Sequence, residues 1–328
     1  MTKRVLIYID YKNIVVLKTY LDVIKKAFEE EKYECLYIET IDIAKKDDII
    51  VVPMGIDAFR FYIKGYKNIV LWQQGVTSEE SFMRNHCYLR KKVLNLIDCF
   101  SMKKAKMIFY VSNELKTYYE KEAKTSFSKK SYIMPCFNET FVEDTVDKKD
   151  YKKKVFSYVG SIDLWQCFEE TVQLYSMIEQ MYPDSFFKVL TFKVDEARKI
   201  INSYGIKNYS VKCVPKEEVK QQLEECTYGF IIRKNIVVNQ VATPTKFSSY
   251  LSSGVLPIFS SCITDFYLNF KNSPVACVAD DLDNIFNFIN KKHDNNEIKI
   301  NISSIFNTYY NIEFHKEEIK KLINDLIH

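Results

Sequence analysis

Twelve short runs rich in β-branched and aromatic residues, most of them separated by segments with helical apolar spacing, confine this chain to an α/β architecture. Six runs fall in the first half, at residues 4–9, 33–39, 48–52, 68–72, 107–111 and 131–134. Helical spacing at 16–31, 85–100 and 113–121 lies between most of them, as in parallel strands joined by crossover helices. The segment 143–154, EDTVDKKDYKKK, is polar, charged and aperiodic, and reads as an exposed connection between domains. The alternation then restarts, with strands expected at 155–159, 187–192, 210–214, 228–232, 255–259 and 275–278, and helices at 168–181, 195–204 and 217–225. Two α/β domains of nearly equal size, each built on a parallel sheet, follow, over 1–150 and 151–328. The last helical stretch, 314–327, has no strand after it and is free to return to the first domain.

The 328 residues suffice for two cores, and a net charge of +4 is too balanced for a dedicated nucleic-acid binder. Nucleic acid is favoured only by the basic, aromatic run 116–130, and a steep salt-dependent affinity for polynucleotide would be its sign. Nine cysteines without a CxxC pair point to free thiols in a reducing cytoplasm, and no metal site is expected. Asp47-Asp48 and Asp280-Asp281 lack DxD-like spacing and read as turn or helix-start residues. The apolar run 5–9 is too short for a signal-peptide core, and nothing approaches the roughly 18 apolar residues of a membrane span. Membrane contact is therefore peripheral if present. Lys103, Lys104, Lys106, Lys116, Lys121, Lys124, Lys129 and Lys130, interleaved with Met102, Tyr118, Tyr119 and Phe127, suit an anionic surface at the inner face of a membrane; solvated helices are the other reading.

Chemistry gathers in 233–260, RKNIVVNQVATPTKFSSYLSSGVLPIFS, between two strand runs. Thr243 is a good N-cap, Pro244 suits the first helical position, and Gly254 can end the helix in the left-handed conformation. Arg233 and Lys246, with Asn239, Thr245 and Ser249, would gather around an anion at the ligand side of an open sheet. Gly160-Ser161 ends another strand of that sheet, and the glycine permits close approach of a ligand. Ordinary packing of a capped helix is the competing account. The first domain has no GxGxxG or Walker pattern, and its first strand runs into DYKN. Its counterpart is LWQQGVTSEES, where Gln74, Gly75 and Glu79 are the candidate catalytic residues. The carboxylates Glu79 and Glu80 are bases, acceptor-binding groups or the acidic first turn of a helix beginning near Ser78, the last favoured for Glu80.

The run VATPTKFSSYLSSGVLPI resembles the nucleotide-sugar segment of two-domain glycosyltransferases of family four, close to P-x-K-x-x-E-Y-L-x-x-G-x-P-I. The match is carried by Pro244, Lys246, Tyr250, Leu251 and Gly254. YVGSIDLWQ is similar to the strand and loop opening their second domain, and LWQQGVTSEES to a loop of relatives from bacterial surface-polysaccharide clusters. The resemblance implies the GT-B architecture, two Rossmann-like domains facing a central cleft, with the sugar donor held by the second and the acceptor by the first. It also implies retention of anomeric configuration and no metal. Two departures stand out: the family's paired glutamates fall at Val241 and Ser249, and GSIDLWQ lacks the family's cations, leaving Arg233 and Lys246 to hold a diphosphate. None of His86, placed inside an expected helix, or His293, His315 and His328 is read as catalytic.

The expected function is transfer of a sugar from a nucleoside diphosphate donor, with no other cofactor, to a glycan or lipid-linked saccharide in the cytoplasm. A catalytically silent GT-B protein that binds glycan or a partner enzyme is the alternative, motivated by Ser249.

Overall fold

The computed structural model of the chain describes residues 3–9 and 11–327, and the side chains of all of these except 11–16. Asp10, which opens the DYKN segment, and His328 lie outside the described residues. All twelve expected strands form: β1 Arg4–Tyr8, β2 Glu34–Ile38, β3 Ile49–Val52, β4 Ile69–Gln73, β5 Met107–Tyr110, β6 Ser131–Ile133, β7 Val155–Val159, β8 Phe186–Leu190, β9 Tyr209–Lys212, β10 Tyr228–Ile231, β11 Leu256–Phe259 and β12 Cys277–Val278. They make two six-stranded sheets, ordered β2-β1-β3-β4-β5-β6 and β12-β11-β10-β7-β8-β9. Every strand pair is parallel. Strands β3, β5, β10 and β11 are buried along their whole length, which is why they read as unbroken apolar runs. The winding reverses between β1 and β3 in one sheet and between β7 and β10 in the other, the places where open α/β sheets generally take their ligands.

The chain divides into two compact units, Met1–Asn138 with Val241–Thr243 and Tyr309–His328, and Glu139–Gln240 with Pro244–Thr308. The division comes before the segment 143–154 rather than inside it. That segment is less exposed than its composition implies: it holds the short helix Asp144–Asp147, with Val146 fully buried. Lys149 is buried too, and its ammonium donates to the carbonyls of Leu223 (2.8 Å), Glu224 (2.8 Å) and Cys226 (2.7 Å), closing the C-terminal end of the helix Lys216–Leu223. Lys130 does the same in the first unit, donating to Met102, Lys103 and Ala105 at the end of the helix Tyr88–Lys104. Burial pulls both ammonium groups down to about 8. The final helix, Ile312–Ile327, packs on Tyr11–Glu30 of the first unit, with Lys316 and Lys320 at 2.7 and 2.9 Å from Glu30.

Helices beyond those expected from apolar spacing also form at Gly55–Ile63, Thr264–Phe270, Leu282–Asn290 and Asn295–Asn307. His86 is not inside a helix. It adopts φ 51° between Thr77–Asn85 and Tyr88–Lys104, and its amide donates to Phe82 as the first of these ends. The paired acids are structural: Asp48 meets Arg4 at 2.6 Å, and Asp281 caps Leu282–Asn290 through Asn284 N.

Candidate functional site

In the second unit the carboxyl ends of β7 and β10, neighbours at the winding reversal, deliver Gly160 and Arg233. Gly160 has φ +115°, a conformation that side chains oppose, and a Cβ there would lie 3.0 Å from Cε of Lys246. The missing side chain therefore makes room for lysine. Lys246 opens the helix Lys246–Ser252, its Nζ 4.0 Å from the Tyr158 ring centre and 2.9 Å from Oε1 of Gln166. Arg233 donates to the same oxygen at 2.5 Å, and also to the backbone carbonyls of Gln166 and Ile232.

Two buried cations thus share one neutral amide oxygen, and among the described residues no carboxylate pairs with either. Arg233 and Lys246 are 7% and 9% exposed. Burial pulls the Lys246 ammonium well below the ordinary lysine range, with the charge of Arg233 adding to it, and burial lowers Arg233 as well. Such an arrangement is costly when empty and favourable to an anion. Gln166 went unrecognised because a neutral amide has no motif; only the fold brings it to Arg233 and Lys246.

The other expected residues divide. Asn239 is buried and donates to Lys234 O, so it shapes the loop after Arg233. Ser161 donates to Asp163 at 2.9 Å and its carbonyl accepts from Tyr158. Thr245 holds the N-cap position, without a side-chain capping bond, and its carbonyl accepts from Ser248 and Ser249 hydroxyls at 2.9 and 3.2 Å. Pro244 precedes the helix and accepts from Phe247 N. Thr243 is not the N-cap: it belongs to the first unit, where its hydroxyl donates to Val111 O and accepts from Cys136 N. Tertiary partners outcompete the cap, and the helix starts later.

In the first unit, a cavity of about 720 Å³ opens at the carboxyl ends of β1, β3 and β4, lined among others by Tyr8, Asp57, Arg60, Gln74, Gly75 and Glu80. Gln74 donates to Pro53 O, and Glu80 lies close enough to Gly75 that a Cβ there would meet its Oε1 at 2.9 Å. Glu79 does not line this cavity. It pairs with Lys91 at 2.7 Å, while both glutamates sit in the first turn of Thr77–Asn85. Beneath the loop, Gln73 donates to Gly75 O and Tyr119 OH, and Tyr119 donates to buried Asp98 at 2.9 Å. Among the described residues no group of three or more His, Cys, Asp or Glu is placed to hold a metal.

Burial pushes the Asp98 carboxyl up to about 7; the Tyr119 hydrogen bond works against this and the charge of Glu80 adds to it. The unfolded chain ionises near 3.8 while the folded chain keeps its proton, so this group's stability is full below pH 3.8 and lost as pH rises towards 7. Asp98→Asn removes that loss. Its melting temperature relative to the parent should climb between pH 4 and 7 and stay level above, by on the order of 4 kcal/mol or about 10 °C. Thermal scans across this range check it. Gly160→Ala should cost about 1–3 kcal/mol of backbone strain and displace Lys246, weakening anion binding as well as stability; titration calorimetry beside thermal melts reads both.

No family model and no curated protein matches the sequence. Solved structures do match in fold. WaaG, a glycosyltransferase involved in lipopolysaccharide biosynthesis, superposes with a TM-score of 0.66 at 10% identity, over 96% of this chain and 99% of that one. The lipopolysaccharide outer core galactosyltransferase WaaB gives 0.62 at 12% identity, over 99% of each chain. A TarM variant from S. aureus, in complex with fondaparinux, α-GlcNAc-glycerol and UDP, gives 0.56 at 10% identity, over 85% of this chain but only 52% of its own. This chain thus spans about half the length of TarM. At such identities the likeness establishes the architecture: two Rossmann-like domains of the GT-B type, shared with these glycosyltransferases.

Proposed function

We propose that this chain is a glycosyltransferase that moves a sugar from a nucleoside diphosphate donor to a growing bacterial surface glycan or lipid-linked saccharide. The observation that carries the reading is the buried Arg233–Lys246 pair around Gln166, at the winding reversal of the second sheet. A diphosphate there meets two charge-assisted donors, and its negative charge grows as the glycosidic bond breaks. Fixed cations perform that role without a metal, so the transfer is assigned as metal-independent. Retention of configuration follows the resemblance carried by Pro244, Lys246, Tyr250 and Gly254. The first-unit cavity with Gln74, Gly75 and Glu80 is the candidate acceptor site. Nine free cysteines fit a reducing cytoplasm.

Calorimetry with a panel of nucleoside diphosphates, followed by transfer assays with their sugars, tests the reading. Binding and turnover of one donor are expected; no binding of any nucleotide would end it. A silent GT-B protein is the second reading, favoured by Ser249, whose hydroxyl donates to Thr245 O where the family has a ribose-binding glutamate. It expects glycan or partner binding without nucleotide-sugar binding.

A further inference from the structure

The helix Tyr88–Lys104 has one face in the protein and one in solvent. Asp98, Cys99, Ser101 and Met102 are buried. Leu89, Leu96 and Val93 point outwards, 72%, 69% and 47% exposed. At 100° per residue these three fall within about 60° of one another, with half-buried Phe100 on the same line. Arg90, Lys92, Lys103 and Lys104 are exposed along the borders of this ridge, Lys92 leaning 4.7 Å over the Tyr88 ring. Every exposed charge on the helix is positive, and its single acid is the buried Asp98. The neighbouring acids Glu79 and Glu122 bond to Lys91 and Asn95, on the flank turned away from the ridge.

The apolar residues of the lysine-rich set expected from sequence do not form such a surface. Met102, Tyr119 and Phe127 are core, and Lys130 closes a helix end. Aliphatic residues in a line, bordered by cations along a helix about 25 Å long, instead match a helix that lies in the plane of an anionic lipid surface. A surface of one sign over that length complements a continuous anionic layer. We propose that this face of Tyr88–Lys104 docks peripherally on an anionic bilayer, leucines in the interface and cations at the headgroups. No helix among the described residues is long and apolar enough to cross a membrane. The proposal does not depend on the transferase reading.

Flotation with vesicles of phosphatidylcholine alone, and with about one-third phosphatidylglycerol, tests it on the full chain. The parent should float with the anionic vesicles, and the double variant Leu89→Glu, Leu96→Glu should lose at least about tenfold in bound fraction. Both positions are exposed, so circular dichroism and melting temperature should stay at parent values. Lys92→Gln with Lys103→Gln should weaken anionic binding while leaving any residual neutral binding unchanged. Equal flotation with both vesicle types, no flotation, or equal flotation of parent and double variant would overturn the proposal. Light scattering without lipid covers the other occupant: a parent dimer that becomes monomeric in the double variant would assign the face to a second copy instead.

Discussion

Lys246→Ala is expected to lower the rate of sugar transfer by about 30- to 1000-fold, corresponding to roughly 2–4 kcal/mol of lost transition-state stabilisation. Its ammonium is held over the Tyr158 ring and shares the Gln166 oxygen with Arg233, where the proposed donor would place its diphosphate. Because burial, and after it the charge of Arg233, already disfavours an ammonium at this place, removing Lys246 should leave the melting temperature close to that of the parent. Loss of rate without loss of stability separates a ligand contact from a structural lysine. Binding should also draw a proton onto Lys246, so nucleotide affinity should fall as pH rises. Lys246→Arg keeps its charge, and should recover part of the rate with a flatter pH profile. Normal kinetics in folded Lys246→Ala would place the donor elsewhere.

The largest loss of stability is expected at Gly229, in the middle of β10. A Cβ there would sit 2.6 Å from ring carbons of Tyr250, a fully buried side chain whose hydroxyl is shared between the carbonyls of Ser157 and Phe230. Neither ring nor sheet can yield cheaply. Gly229→Ala should destabilise the second unit by about 3 kcal/mol, a drop of roughly 6–12 °C in Tm. Tyr250→Leu alone also costs stability, through the cavity it leaves. The two together should cost at least about 1 kcal/mol less than their sum, because the smaller side chain admits the new methyl. Additive losses would show that the ring is not what requires glycine.

Central strands were legible because parallel strands buried on both faces have to be continuous apolar runs, as at Ile49–Val52 and Met107–Tyr110, whereas partly buried ones such as Glu34–Ile38 and Tyr209–Lys212 were legible only from their β-branched and aromatic residues. Helices such as Gly55–Ile63 were less so, being short and lacking a side-chain cap. In the site, Arg233, Lys246 and Gly160 could be named from residue type alone. Gln166 could not, since its value lies in an oxygen aimed at two cations distant in sequence. Thr243 shows the opposite failure: its type suited a cap, but tertiary partners, Val111 and Cys136, claimed the side chain.

The lysines that close two helix ends, Lys130 in the first unit and Lys149 in the second, make the protein its own reporter of opening. Each ammonium is engaged by three carbonyls: an amine-acylating reagent reaches buried Lys149 only when that helix end comes apart, and half-buried Lys130 has to break its three bonds before its amine can attack. Mass spectrometry of acylated peptides around 130 and 149, taken along a denaturant series, would give two separate unfolding curves from one sample. Coincident curves would mean that the two units melt as a single cooperative block; displaced curves would rank them.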